Sequence, residues 1–294
     1  MPDLLGFLQG TGYVVMGLAA VLVGVLYHYQ CSLIYPAGFP EGSRDKVDLP
    51  SEYNLPYEDV ALRTKDNVKI RAYVITRESE NETRQADTLL YFHANAGNMG
   101  HRLPLAKRFY DLCGCNIVML SYRGYGLSEG SPSEKGMRID AAATLDFIQQ
   151  HPLLKDSRIV LFGQSIGGAV AIDLASRFED RIHGMILENT FLSIPDLIPH
   201  VVPIARYFAP LCHQIWDSGT QIREVRRIHA LFLASAKDTL IPPSHFEELY
   251  RRLKTSGVKK RVILDEGTHN DACVQPGYWV AIESFWRNTL GPKE

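Results

Sequence analysis

Gly163-Gln164-Ser165-Ile166-Gly167-Gly168 stands where an apolar strand pattern, Arg158 to Phe162, gives way to a small-residue helix pattern, Gly167 to Ser176. A serine in a strand-to-helix turn of the form G-x-S-x-G has the spacing of a nucleophile elbow. Such a turn forces the serine into a strained backbone, tolerable where Gly163 and Gly167 present no Cβ to the adjoining strand and helix. The serine Oγ then stands above the sheet edge. The helix N-terminus behind it carries unpaired N–H groups, so the Ile166 N–H is the first candidate to stabilise an oxyanion.

The partners of such a serine follow as an acid and then a histidine, each on a loop after a later strand. Leu231 to Ser235 reads as a buried strand delivering Lys237-Asp238 into a loop closed by Ile241-Pro242-Pro243, ahead of a helix from Ser244 to Lys254. Arg261 to Leu264 reads as the last strand, and Asp265 to Asp271 places His269 in the loop before the final helix. A serine hydroxyl is a weak nucleophile at neutral pH. His269 would take its proton, and Asp238 would hold the imidazole tautomer and stabilise the imidazolium. Taken singly, an Asp in a β–α loop is a turn former and a His beside Asn and Asp is a solvated loop residue. Three residue types at three strand ends in the right order favour the triad. Glu188, ending the strand Gly184 to Leu187, is the rival acid and reads as a packing or loop-anchoring residue.

A second oxyanion donor is expected in the loop after the third strand. That strand is Thr88 to Phe92, the loop is His93 to Asn98, and the Asn95 N–H is the candidate. Arg123 and Tyr125, after the strand Cys115 to Leu120, are expected to brace the loops around the elbow.

These motifs resemble those of the α/β-hydrolases, and more closely the membrane-anchored serine hydrolases named for bud emergence in fungi, with plant relatives named for wavy growth and relatives in animals. The matching stretches are His93 to Arg102, Tyr122 to Gly126, Gly130 to Glu134, Gly163 to Gly168, Leu187 to Phe191 and Thr268 to Asp271. Ala94 stands where most α/β-hydrolases carry glycine. The resemblance implies a triad of Ser165, Asp238 and His269, in agreement with the residues themselves. Related membrane-bound branches remove fatty acyl groups from protein cysteines.

From Leu4 to Pro40 there is no Asp, Glu, Lys or Arg, and Tyr13 to Tyr27 is almost wholly apolar. Extended back to Gly6, the stretch has the length of about 20 residues that a spanning helix needs. It lacks the basic n-region and small-x-small cleavage site of a signal peptide, and the polar face of a soluble core helix. An uncleaved single-pass anchor is expected over 1–40, with the hydrolase domain over 41–294. A chain cut at Pro40 is expected to keep its action on soluble esters. Flanking charges do not orient the segment: Asp3 lies on one side and Glu41, Arg44, Asp45, Lys46 and Asp48 mix signs on the other. Asn81-Glu82-Thr83 is a glycosylation sequon in a polar loop and suits a lumenal domain. The expected location is an endomembrane, the endoplasmic reticulum ahead of the plasma membrane.

Strands alternating with helices predict a mostly parallel sheet covered on both faces. The pattern breaks over 191–225, where Pro195, Pro199, Pro203 and Pro210 forbid one long helix and predict a jointed apolar cap between the sixth and seventh strands. Above the elbow it is expected to form an acyl-binding wall. A net charge of −2 with both signs dispersed gives nucleic acid no basic surface. The five cysteines show no metal-type spacing; Cys31, past the anchor, reads as a free thiol or an acylation site. No cofactor or metal is required by the predicted chemistry, a serine hydrolase acting on a membrane-associated ester or thioester of an apolar acyl group. The alternative is a non-catalytic hydrolase-fold membrane scaffold in polarity or trafficking, which would have no chemical reason to keep three triad residues.

Overall fold

The computed structural model describes residues 4–291; Asp3 and the last three residues lie outside them. Eight strands form one sheet: β1 (Tyr57–Arg63), β2 (Lys69–Ile75), β3 (Thr88–Phe92), β4 (Asn116–Ser121), β5 (Ile159–Gln164), β6 (Gly184–Glu188), β7 (His229–Ser235) and β8 (Lys259–Leu264). Their spatial order is β1-β2-β4-β3-β5-β6-β7-β8, and only β2 runs against its neighbours. From β4 to β8 the pairing is parallel.

Parallel strands need crossover helices, and these cover both faces. The helices are α1 (Leu4–Ile34), α2 (Glu80–Gln85), α3 (Leu103–Cys113), α4 (Glu134–Gln150), α5 (Ile166–Arg177), α6 (Ile194–Val201), α7 (Ser218–Gln221), α8 (Pro243–Arg252) and α9 (Tyr278–Phe285). Strand alternation divides the core: Leu90 and Phe92 of β3 face the layer of α4, α5 and the cap, while Leu89 and Tyr91 face that of α3 and α9. Both faces being buried, β3, β4 and β5 are continuous apolar runs.

Several local expectations are corrected. The segment with the sequon is not a loop but α2, nucleated by Ser79, whose Oγ accepts from the Glu82 N–H at 3.2 Å. Asn81 is exposed there, but the Thr83 side chain is buried and donates to the Ser79 carbonyl at 2.9 Å. Before α3, residues Gly100–Arg102 form a tighter turn. After α9 the chain widens into a π-turn over Trp286–Leu290.

The cap is jointed as its prolines dictate: α6, two short 3₁₀ turns over Pro203–Tyr207 and Ala209–Leu211, then α7. α1 is long and apolar enough to cross a membrane, yet its C-terminal turns pack on the hydrolase domain. Cys31 belongs to α1, not to the chain beyond it, and rests against the core. Tyr35, the next residue after α1, is buried; its hydroxyl donates to Gln214 Oε1 at 3.0 Å and accepts from Trp216 Nε1 at 2.9 Å.

Candidate active site

Ser165 sits between β5 and α5 with φ 55° and ψ −119°, a conformation L-residues rarely adopt. Its neighbours explain why the turn persists. A Cβ on Gly163 would lie 2.2 Å from the Gly167 carbonyl oxygen, and one on Gly167 would lie 2.2 Å from that of Phe92. Ser165 is held further by its own backbone: its N–H donates to the Glu188 carbonyl at 2.9 Å, and its carbonyl accepts from Thr190 Oγ1 at 2.8 Å.

The three residues named from the sequence come together. His269 Nε2 is 3.2 Å from Ser165 Oγ, and His269 Nδ1 is 2.7 Å from Asp238 Oδ2. The other Asp238 oxygen accepts from the Leu240 and Ile241 N–H groups, both at 2.9 Å, which fixes the carboxylate plane toward the imidazole. With Nδ1–H donated to the carboxylate, Nε2 is free to accept the serine proton. All three side chains are buried.

Glu188 does not reach His269 by any hydrogen bond among the described residues. Its carboxyl accepts from Tyr278 Oη at 2.5 Å and Gln164 Nε2 at 2.8 Å. Burial pushes its pKa up to about 7, against those hydrogen bonds and the nearby His269. Its geometry is that of an anchor for the ends of β5 and β6.

Asn95 and Ile166 line the same cavity as Ser165 and His269. The Asn95 N–H donates to no group among the described residues, and Ile166, first in α5, has no carbonyl one turn below to receive its own. The loop bearing Asn95 is held from three sides. Gly97 N–H donates to the Phe39 carbonyl at 2.7 Å, Arg102 Nη2 donates to the Ala96 carbonyl at 3.1 Å, and Tyr125 Oη donates to Asn95 Oδ1 at 2.8 Å. His93 at its base is buried between Tyr122 and Tyr125 and kept neutral, burial driving its pKa down to about 3. Arg123 braces the next loop through ion pairs with Asp140 at 2.8 Å and Asp66 at 2.7 Å.

Sequence reasoning missed two contributors. Asn189, at φ 44°, accepts from the Ser235 N–H at 2.8 Å and donates to the His269 carbonyl at 3.3 Å, tying the histidine loop to the end of β7. An asparagine directly after a strand is the only hint, since Asn tolerates left-handed backbone. The second is α1. The cavity above Ser165 has a volume of about 570 Å³ and is closed by cap residues such as Ile194, Ile198 and Phe208 on one side and by α1 on the other. Apolar side chains dominate its lining, with Arg102 the lone arginine or lysine among the described residues.

The α/β-hydrolase fold family matches residues 87–211. Over 279 residues the chain is 44% identical to protein bem46 of Schizosaccharomyces pombe, covering 95% of this chain and 92% of that one. An uncharacterized membrane protein of Saccharomyces cerevisiae is 41% identical, over 92% of this chain and 93% of its own. The α/β-hydrolase domain-containing protein WAV2 of Arabidopsis thaliana is 33% identical, over 93% and 90%. An esterase of Pyrococcus furiosus superposes with a TM-score of 0.69 at 19% identity, covering 83% of this chain and 94% of that one.

Proposed function

The chain belongs to the bud-emergence-type family of α/β-hydrolases, and on that footing we propose that it is a membrane-anchored serine hydrolase cleaving an ester or thioester of an apolar acyl group through an acyl-enzyme on Ser165. The observation that carries this is the unbroken chain from Asp238 through His269 to Ser165, with links of 2.7 and 3.2 Å, at the floor of an apolar cavity. In the first half-reaction Ser165 Oγ bonds to the acyl carbon while its proton passes to His269 Nε2. The oxyanion is met by the Asn95 and Ile166 N–H groups. Collapse returns the proton to the departing alcohol or thiol. Water, deprotonated by the same imidazole, then releases the acid and restores Ser165. Cavities of this size with few polar groups suit an acyl chain. Membrane placement is supported by the length of α1 and by the name of the yeast relative; an endomembrane is the proposed site.

The test is labelling of the full-length protein with a fluorophosphonate, together with turnover of acyl esters and thioesters. Wild type should label and turn over, and Ser165→Ala should do neither at an unchanged unfolding midpoint. Labelling of folded Ser165→Ala at the wild-type rate overturns the assignment.

A further inference from the structure

Val23, Leu26, Tyr27, Gln30, Leu33 and Ile34 of α1 line the cavity that holds Ser165. Steps of three and four residues put them on one helix face. That face is clamped to the cap: Gln30 donates to the Leu211 carbonyl at 2.8 Å and accepts from the His213 N–H at 2.9 Å, and the Tyr27 and His213 rings meet edge-on at 4.9 Å. Every described side chain between residues 6 and 22 is exposed. At 1.5 Å per residue this free stretch is about 26 Å long, close to the ~30 Å of bilayer hydrocarbon. With that stretch in lipid, Val23, the first of the cavity-lining residues, comes at the membrane surface.

The cap supplies an independent observation. Val201, the last residue of α6, and Val202 after it line the cavity and are nevertheless 46% and 47% exposed. Large apolar side chains exposed together at a cavity rim mark a surface that something apolar covers.

We propose that this rim lies in the leaflet surface, and that a fatty acyl chain of a leaflet lipid enters sideways between α1 and α6, lying along the Val23–Ile34 face with its carbonyl at Ser165. The anchor helix is then one wall of the substrate site, about 16 Å long, and not a tether alone. This rests on the reading of Ser165 as the acyl-transfer nucleophile and adds the route and source of the acyl chain. A chain drawn from the leaflet keeps its tail in apolar surroundings throughout, so no apolar surface need be exposed to water on the way.

Two measurements test it with full-length protein in phosphatidylcholine vesicles. In Ser165→Ala protein, a phosphatidylcholine with a diazirine in its acyl chain is photolysed and adducts are mapped. Adducts on Val23 or Leu26 together with Ile198 or Val202 are expected. Adducts only on outward positions such as Leu22 and Val25, or cross-links to a second copy of the chain in their place, overturn the proposal. In otherwise wild-type protein, Val23→Trp and Leu26→Trp should lower the ratio of kcat/KM for a long-chain ester over an acetyl ester at least about tenfold, while Leu22→Trp leaves that ratio in place. An equal loss on both esters, or the same loss from Leu22→Trp, makes the face structural and overturns it. The photolysis does not need turnover, so absent fluorophosphonate labelling would sink the Ser165 reading while the adducts still decide the route.

Discussion

The side-chain amide of Asn95 donates to the carbonyl oxygen of Ile34, the last residue of α1. A helix ends on carbonyls with no partner of their own, and here one is met by the residue whose N–H is the candidate oxyanion donor. The helix and the loop after β3 therefore share a fastening. Asn95→Ala keeps the backbone N–H and removes the fastening. On a soluble ester its kcat should fall roughly ten- to hundredfold, since misplacement near 1 Å costs on the order of 10². Tyr125→Phe, which removes the other tie, should act in the same direction by a smaller factor. A loss carried mainly by KM would mean that the Asn95 side chain touches substrate instead.

Glu188 ends β6 and Asp238 lies in the loop after β7, but of the two only Asp238 is hydrogen-bonded to His269. Asp238→Asn should cost about 10⁴ in kcat by imposing the wrong tautomer; Glu188→Gln should cost less than about tenfold. Steady-state kinetics at equal folded fraction decide, and a larger loss from Glu188→Gln would exchange the roles.

Glu188 also predicts a pH signature in stability. Its pKa is pushed up to about 7 from 4.5 in the unfolded chain. Between those values the native state holds the proton and the unfolded state does not, so stability declines as pH rises from 4.5 to 7 and the penalty is complete above 7. Glu188→Gln removes the titration. Its unfolding free energy relative to wild type should rise between pH 5 and pH 8, by at most about 3 kcal/mol. A difference that is flat with pH would place the Glu188 pKa near its ordinary value.

Removing residues through Pro40 takes away Tyr35, the Ile34 carbonyl and the Phe39 carbonyl that holds Gly97. Against the expectation from sequence, the shortened protein should lose roughly 3 kcal/mol or more of stability, from the buried tyrosine and the Trp216 N–H left unpaired. Its kcat on an acetyl ester should fall about tenfold as the oxyanion loop loosens. Denaturant unfolding and acetyl-ester kinetics of the two forms check this. Wild-type values for both would make the segment a detachable tether.

The meeting of Ser165, His269 and Asp238 was legible because its signals are local: each residue follows an apolar strand run, and Gly163 and Gly167 announce the turn. Strand ends shifted by a residue or two, as at Asn116–Ser121 against an expected Cys115 to Leu120. α2 was hidden because its six residues are all polar, so only the Ser79 cap marks it. The docking of α1 was not legible. A helix apolar all round reads the same whether lipid or protein faces it, and Leu211 and His213 lie 181 and 183 residues from Gln30. Gln30 itself, a polar side chain in an apolar run, was the one available sign.

Tyr35 and Trp216 meet across 181 residues of chain. At 5–20 residues per second, synthesis of that interval takes roughly 10–40 s, so α1 leaves the ribosome long before its partners exist. The face that Gln30 presents to Leu211 and His213 has no cap to rest on until those residues have been made. Closure of the cavity above Ser165 is thereby placed late in synthesis, and a ribosome stalled before Trp216 would leave α1 beside an open sheet with no finished pocket.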